Sequence, residues 1–134
     1  MIAVDTNIIA YLFIPGVHTG LAEKVFLKDK VWSAPILWRS EMRSVLLGYV
    51  RQKHMSFEVA LEIMEKAQML IASHEHIPPS EKVMEYAFKG GCTVYDCEYV
   101  VLAHDFKVPL ITTDAQILHA FPKIAVSPVK FIEA

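Results

Sequence analysis

Four carboxylates of this chain are far apart in sequence, but each lies where a strand ends, where a helix begins or on an apolar helix face. They are Asp5, Glu41, Asp96 and Asp114. In an open parallel sheet the carboxyl ends of the strands share one edge, and ligands bind there. Carboxylates brought to that edge repel one another unless a cation holds them, and hard cations such as Mg²⁺ take oxygen ligands. The pattern therefore indicates a metal-dependent site that cuts phosphodiester bonds.

Each acid taken alone also has an ordinary explanation. Asp5 and Asp114 could cap the helices that follow them. Asp96 lies three residues after Thr93, in the T-x-x-D pattern of a capping box. Helix N-termini at the edge of a sheet can also line a site, so the capping interpretation and the ligand interpretation are compatible.

Glu41 is less easily explained by helix chemistry alone. Its neighbours three and four positions away on a helix are Leu37, Trp38, Ser44 and Val45. A glutamate on this mostly apolar face is rarely buried without a partner, and a structural salt bridge is the alternative to a site role. Asp96 likewise shares its helix face with Val100 and Ala103. Two acids on inward helix faces and two at strand ends favour one shared site, where mutual repulsion should raise the pKa of at least one carboxyl group.

The composition predicts one folded domain that spans residues 1–134. A hydrophobic content of 54% and a charged content of 21% exclude disorder, and no apolar stretch has the length of a membrane span. The net charge of −2 argues against a basic nucleic-acid clamp, but not against a nuclease that holds its substrate through a metal. Cys92 and Cys97 form neither a redox pair nor a zinc knuckle, and no secretion signal is evident, so we expect a reduced, cytoplasmic chain.

Short apolar runs alternate with helical patterns, which predicts an α/β fold with a central parallel sheet of four to five short strands flanked by helices. The predicted strands cover residues 2–4, 31–34, 74–77, 110–112 and, at an edge, 125–126. Predicted helix signals are N-caps at Thr19, Ser56 and Ser80, a stop at Gly90-Gly91, and helix starts at Thr93 and Asp114, of which Asp114 opens the last helix. Pro35 suits the first turn of a long helix.

Four stretches of the chain together carry a family pattern. They are Val4-Asp5-Thr6-Asn7, Ser40-Glu41, Tyr95-Asp96 with Tyr99 through Ala103, and Leu110-Ile111-Thr112-Thr113-Asp114. In this order and spacing they resemble the PIN-domain nucleases, and most of all the small prokaryotic toxins called VapC. The resemblance spans nearly the whole chain. It implies a PIN-like sheet and an endoribonuclease that depends on Mg²⁺ or Mn²⁺, and many members of the family are dimers paired with a small antitoxin.

The resemblance also implies roles for individual residues. Asp5, Glu41, Asp96 and Asp114 match the acidic quartet of the family, Thr112 matches the hydroxyl residue of its T-x-D motif, and Asn7 matches the small polar residue after the first Asp. Some members carry a further acid shortly after the last Asp, where this chain has Gln116. We therefore expect one tightly held metal, with a second ion arriving on the substrate phosphate.

The expected chemistry is hydrolysis of an RNA phosphodiester by a metal-activated water. Asp5, Asp96 and Asp114 would hold the metal directly or through water, and Glu41 would hold the metal or position the water. Asn7, Thr6 and Thr112 would orient waters or carboxylates, although a turn or packing role is as good an explanation for the threonines.

The expected partners are RNA, an antitoxin protein and a second copy of the chain, with no membrane. Two further functions remain as alternatives. One is a PIN-like module that binds RNA or protein without catalysis, and the other is a phosphohydrolase that acts on small phosphate esters.

Overall fold

The computed structural model of the protein describes all 134 residues. Five short strands form one sheet: β1 (Ile2–Val4), β2 (Trp32–Pro35), β3 (Glu75–His76), β4 (Leu110–Ile111) and β5 (Ala125–Val126). Every neighbouring pair is parallel, and the order across the sheet is β3-β2-β1-β4-β5. The predicted parallel α/β sheet is therefore confirmed, including the edge strand at residues 125–126.

Eight α-helices surround this sheet. They are α1 (Thr6–Phe13), α2 (Thr19–Lys28), α3 (Trp38–Arg51), α4 (Phe57–Ile71), α5 (Ser80–Gly90), α6 (Val94–Phe106), α7 (Ala115–Ala120) and α8 (Pro128–Glu133). A short 3₁₀ turn at Ala72–His74 leads into β3. None of these helices combines the length and the hydrophobicity that crossing a membrane requires.

Helix α6 packs against β1, β2 and β4, at the centre of the sheet. For this reason its sequence is apolar on several sides, and Cys97, Tyr99, Val100, Val101, Leu102 and Ala103 are all buried. Burial of this continuous apolar run is the main force that fixes the helix on the sheet, at about 25 cal/mol per Å² of apolar surface removed from water. The position of α6 also fixes the position of Asp96 in its first turn.

The chain changes direction across the sheet between β1 and β4. From β1 it moves outward through β2 to β3, and it then returns to the other side of β1 to form β4 and β5. Such a topological switch point leaves a crevice outside the carboxyl ends of the two central strands. Asp5 follows β1 and Asp114 follows β4, so two of the four acids lie at this crevice.

Several predicted helix boundaries are wrong. Pro35 is the last residue of β2 and not the first turn of α3, which begins at Trp38. Thr19 and Ser80 are the first residues of α2 and α5, while His18 and Pro79 hold the cap positions. Asp114 does not open the last helix, because α8 follows β5 with Ser127 as its N-cap and Pro128 in its first turn. By contrast, the predicted N-caps Ser56 and Thr93 and the left-handed stop at Gly91 are confirmed.

Candidate active site

All four acids lie at the carboxyl edge of the sheet. Asp5 directly follows β1, and Asp114 follows β4 as the N-cap of α7. Glu41 and Asp96 are in the first turns of α3 and α6. Helix α3 directly follows β2 and therefore begins near the carboxyl end of that strand. Helix α6 leads into the amino end of β4, so it runs from the carboxyl edge of the sheet and begins there. The first turn of a helix also favours negative charge, which lowers the free-energy cost of placing acids there.

Asp5 holds the N-cap position of α1, but its side chain does not cap the helix. Instead, its Oδ2 accepts a hydrogen bond of 2.8 Å from the buried hydroxyl of Thr112. The pKa of Asp5 is raised from 3.8 to about 6, chiefly because burial removes the carboxylate from water and also because of the nearby charges of Glu41 and Asp96. The expected raised pKa is therefore present, although burial contributes more to it than repulsion does.

Thr112 connects two of the acids. Its Oγ1 donates to Asp5 and accepts a hydrogen bond of 3.0 Å from the backbone N–H of Asp114. The backbone N–H of Thr112 is itself bonded to the carbonyl of Val126 in β5. The hydroxyl thus fixes the orientation of the Asp5 carboxylate relative to the end of β4.

Glu41 is held by hydroxyl groups and not by a salt bridge. Its Oε1 accepts hydrogen bonds from Thr6 Oγ1, at 2.9 Å, and from the hydroxyl of Tyr99. Thr6 Oγ1 and Tyr99 Oη also lie 2.5 Å apart. Burial and the adjacent Glu41 charge raise the pKa of Tyr99, so its hydroxyl stays protonated and donates. The salt-bridge alternative for Glu41 is therefore wrong.

Asp114 caps α7 as the sequence suggested, whereas Asp96 takes part in only half of the predicted capping box. Asp114 Oδ1 accepts from the backbone N–H groups of Gln116, at 2.8 Å, and Ile117, at 3.1 Å. The backbone N–H of Asp96 donates to Thr93 Oγ1, while the carboxylate of Asp96 makes no hydrogen bond within the protein. Capping thus uses one oxygen of Asp114 and none of the carboxylate oxygens of Asp96.

Three of the acids influence another acid or a neighbouring group through their charges. The charges of Glu41 and Asp96 raise the pKa of Asp5, and the charges of Asp96 and Asp114 raise the pKa of the buried Cys92 thiol. No group of three or more His, Cys, Asp or Glu side chains is placed so that it could hold a metal ion directly. The predicted metal site, with ligands that act directly or through water, therefore stays a prediction.

The donor set still suits a hard cation. The groups that face the crevice are carboxylates and hydroxyls, and burial and neighbouring carboxylates raise the pKa of Cys92, which keeps its sulfur protonated. Mg²⁺ retains several of its waters and needs few direct protein ligands, whereas zinc prefers nitrogen and thiolate ligands. Asp5, with its burial and its acidic neighbours, is the carboxylate whose charge a cation would stabilise most.

Asn7 is exposed, and its side chain makes no hydrogen bond within the protein.

Tyr99 was not predicted from the sequence as the partner of Glu41, although a tyrosine on the buried face of a helix needs a partner for its hydroxyl. Glu98 was not predicted either, and its pKa is raised by burial and by the charge of Glu41. Glu98 lines a groove of about 360 Å³ together with Arg39 and Arg43, which brings two cationic side chains near the acids.

Comparison with known proteins gives the same assignment as the sequence pattern. No family model matches the chain. Ribonuclease VapC3 of Pyrobaculum aerophilum is 25% identical to it over 126 residues, which cover 92% of this chain and 96% of that protein. The chain resembles a VapC ribonuclease over nearly its full length.

Solved structures share the fold of this chain. PAE2754 from Pyrobaculum aerophilum superposes with a TM-score of 0.78 at 20% identity, covering 98% of this chain and 85% of that one. A toxin–antitoxin complex from Klebsiella pneumoniae gives a TM-score of 0.67 at 16% identity, with 96% and 98% covered. FitAcB from Neisseria gonorrhoeae gives 0.70 at 15% identity, with 96% and 99% covered. The predicted PIN-like fold and the resemblance to VapC are confirmed.

Proposed function

We propose that the protein is an endoribonuclease that depends on Mg²⁺ or Mn²⁺ and acts in the cytoplasm as the toxin of a toxin–antitoxin pair. The observation that carries this proposal is the similarity over nearly the full length to Ribonuclease VapC3. The position of the four acids at one edge of the sheet of this chain supports it. The fold shared with a toxin–antitoxin complex supports the second part of the proposal.

Asp5, Asp96 and Asp114 would hold the cation, directly or through its waters, and Glu41 would hold the metal or position the attacking water. A bound divalent ion supplies an activated water and stabilises charge on the phosphate. The protein's own contribution is orientation. Thr112 fixes the carboxylate of Asp5, while Thr6 and Tyr99 fix the carboxylate of Glu41.

The test is cleavage of a defined RNA by the wild-type protein and by single variants. Cleavage should require Mg²⁺ or Mn²⁺, stop with EDTA, and fall at least a hundredfold in Asp5→Asn and Asp96→Asn, because Lewis-acid stabilisation is worth several kcal/mol. Glu65→Gln is the matched control, since Glu65 is exposed on α4 and should be dispensable. Undiminished cleavage by metal-free protein, or wild-type rates in both acid variants, would contradict the proposal.

The two alternative functions predict different results in the same assay. A phosphohydrolase for small esters would turn over a chromogenic phosphate ester and leave RNA intact. A non-catalytic module would bind RNA or protein without cutting either substrate. The proposed enzyme should cut RNA, and the acid variants should lose that activity while retaining their fold by circular dichroism.

Association with an antitoxin has a candidate surface between α3 and α4. Leu47, Phe57 and Leu61 are exposed there beside an apolar cavity of about 180 Å³, with Arg43 at its margin. Exposed apolar groups collected in one place are a common sign of a protein interface. An antitoxin encoded next to this chain should co-purify with it and inhibit RNA cleavage.

A further inference from the structure

A cavity of about 800 Å³ is lined by the end of α6 and the loop after it, by α7 and the loop after it, by β5 and by the start of α8. Its apolar lining includes Pro109, Leu118, Ile124 and Val126. No Asp or Glu lines it, so the cavity is separate from the four-acid site. Small-molecule sites typically have volumes of roughly 300–1,000 Å³, with an apolar lining and a few polar groups. This cavity fits that description.

The polar side chains that line the cavity include three lysines and no acid. They are His104, Lys107, Lys123, Ser127 and Lys130. None of the three lysines forms an ion pair within the protein. The nearest acid in sequence, Asp105, is paired with Lys82 and contacts His104 Nδ1 at 3.4 Å, but it does not line the cavity and contacts none of the three lysines. In a chain with a net charge of −2, this local excess of unpaired positive charge favours an anionic ligand.

Ser127 adds a neutral donor to this arrangement. Its hydroxyl oxygen accepts a hydrogen bond of 3.2 Å from the backbone N–H of Lys130, as the N-cap of α8. The proton of that hydroxyl makes no hydrogen bond within the protein, so it can donate to an anion. Lysine ammonium groups beside a hydroxyl donor and an apolar surface suit a phosphate group that carries a flat, partly apolar substituent.

We propose that this cavity binds the phosphate of a nucleotide, with the base and ribose against the apolar lining and the phosphate between the lysines. The nucleotide can be free or part of an RNA strand. Binding itself follows from the charge and shape of the cavity, and only the RNA source rests on the proposed ribonuclease function.

Lys107 allows a variant that removes charge without destabilising the fold. It is the C-cap of α6 and has a left-handed backbone conformation with φ of 55°, which a non-glycine residue adopts only with strain. Lys107→Gly relieves that strain and removes one ammonium group. Lys53 has a similar positive φ of 62° but does not line the cavity. Lys53→Gly is therefore a matched control for charge, conformation and substitution.

Binding is measured by fluorescence anisotropy of a 5′-labelled RNA octanucleotide with the full-length protein in EDTA. Affinity should fall about fivefold in Lys107→Gly and should not change in Lys53→Gly, because only the former removes a phosphate contact. Three phosphate contacts on a single strand predict a slope of about −2 when log K is plotted against log salt concentration. Replacement of all three lysines by Gln should remove most of this salt dependence. Neither glycine variant should have a lower melting temperature than the wild-type protein.

Competition identifies the source of the phosphate. Displacement of the RNA by adenosine monophosphate, and less well by inorganic phosphate, supports a nucleotide site, whereas binding of RNA alone supports contact with a strand. The proposal is overturned if neither RNA nor the mononucleotide binds, or if Lys107→Gly and the triple variant bind as tightly as Lys53→Gly. Since EDTA excludes metal-dependent cutting and binding is the readout, these outcomes do not depend on whether the protein cleaves RNA.

Discussion

Hydroxyl groups hold two of the four acids in place. Thr112 bonds to Asp5, and Thr6 and Tyr99 bond to Glu41, with no cationic side chain bonded to either carboxylate. A neutral donor orients a carboxylate without cancelling its charge. A lysine or arginine in the same place would compete with a metal ion for that charge. The arrangement is therefore suited to a site that has to keep its negative charge available to a cation.

Removing the Tyr99 hydroxyl should weaken catalysis by loosening Glu41. We expect Tyr99→Phe to lower kcat for RNA cleavage by roughly 10- to 150-fold, since a hydrogen bond to a charged group is worth roughly 1.5–3 kcal/mol. KM should change little, because the residue positions Glu41 and does not face the substrate. Tyr86→Phe is the control, as the Tyr86 ring stacks on Phe121 and its hydroxyl makes no hydrogen bond within the protein. A kcat of Tyr99→Phe equal to that of the wild-type protein would contradict the proposal that the Tyr99 hydroxyl positions Glu41.

Asp5 should destabilise the metal-free protein at neutral pH. Its folded pKa of about 6 lies above its usual value of 3.8, so the native state binds more protons than the unfolded state between these two values. The free energy of unfolding then falls as pH rises from about 4 to 6, by on the order of 3 kcal/mol at most. In EDTA, Asp5→Asn should therefore melt at or above the wild-type temperature at pH 7, and this advantage should shrink towards pH 4.

Divalent metal provides the converse test of Asp5. Adding Mg²⁺ should raise the melting temperature of the wild-type protein by mass action and should raise that of Asp5→Asn less. The amide oxygen of Asn can still accept the hydrogen bond from Thr112, so the comparison of wild type with Asp5→Asn measures the effect of the carboxylate charge alone. A variant that melts several degrees lower in EDTA, together with no effect of Mg²⁺ on either protein, would make Asp5 a structural residue.

At the residue scale, the sequence predicted the acids but not the groups that hold them. Asp5, Glu41, Asp96 and Asp114 could be found because charge at a strand end or on an apolar helix face is unusual. The contact between Tyr99 and Glu41 joins two helices that are 58 residues apart in sequence. Such a pairing depends on how the helices pack, and local patterns contain no information about it.

Among the elements, α3 is fixed to the edge of the sheet by one ion pair. Arg39 Nη2 donates to Glu75 Oε1 at 2.7 Å and its Nε donates to Oε2 at 2.5 Å, while Trp38 Nε1 donates to Oε2 at 2.7 Å. The side chain of Glu75 is only 10% exposed, so this pair is stronger than an ordinary surface pair. It connects α3, which carries Glu41, to β3.

The ion pair predicts an acid-dependent loss of stability. Hydrogen bonds from Arg39 are the main cause that lowers the pKa of Glu75, and the bond from Trp38 lowers it further. The lowered pKa means that the ionised Glu75 side chain stabilises the folded state at pH values above the unfolded pKa of 4.5. This stabilisation is lost as the pH falls through the folded pKa. Glu75→Gln should reduce the free energy of unfolding by roughly 1.5–3 kcal/mol at pH 7, and the difference from wild type should shrink below pH 4. An equal difference at both pH values in denaturant titrations would contradict the ionic explanation.

Element boundaries were predictable where a local group fixes them. Ser56 and Thr93 cap helices through their own hydroxyls, and Gly91 ends α5 because its φ of +74° suits glycine. Pro35 misled the prediction because its ring is compatible both with the end of a strand and with a first helical turn. Helix α8 was missed although Ser127 and Pro128 form a local start signal, because a six-residue helix is stabilised mainly by its packing on the distant helix α2.

For the whole molecule, the strand order decides where the site lies. The sequence predicts parallel strands, but it does not show that β4 pairs with β1 on the side opposite β2. That pairing creates the switch point and brings Asp5 next to Thr112. The order depends on which apolar faces fit together across the complete core, and therefore it becomes visible only in the folded chain.

The exposed apolar groups on α3 and α4 also predict self-association. Leu47, Phe57 and Leu61 are between 38% and 55% exposed, which is unfavourable for an isolated monomer. We expect light scattering to give a dimer at micromolar concentration and Phe57→Glu to shift it towards monomer. A wild-type monomer under these conditions would contradict the dimer.

Binding of Mn²⁺ tests most directly whether the acids act as one metal site. Electron paramagnetic resonance of free Mn²⁺ in a titration reports how much ion the protein holds. The wild-type protein and Glu65→Gln should bind Mn²⁺ with equal affinity, and Asp5→Asn and Asp96→Asn should each bind it at least tenfold more weakly, which corresponds to about 1.4 kcal/mol per variant. A wild-type protein that leaves Mn²⁺ free, or acid variants that bind it as tightly as Glu65→Gln, would contradict a shared metal site.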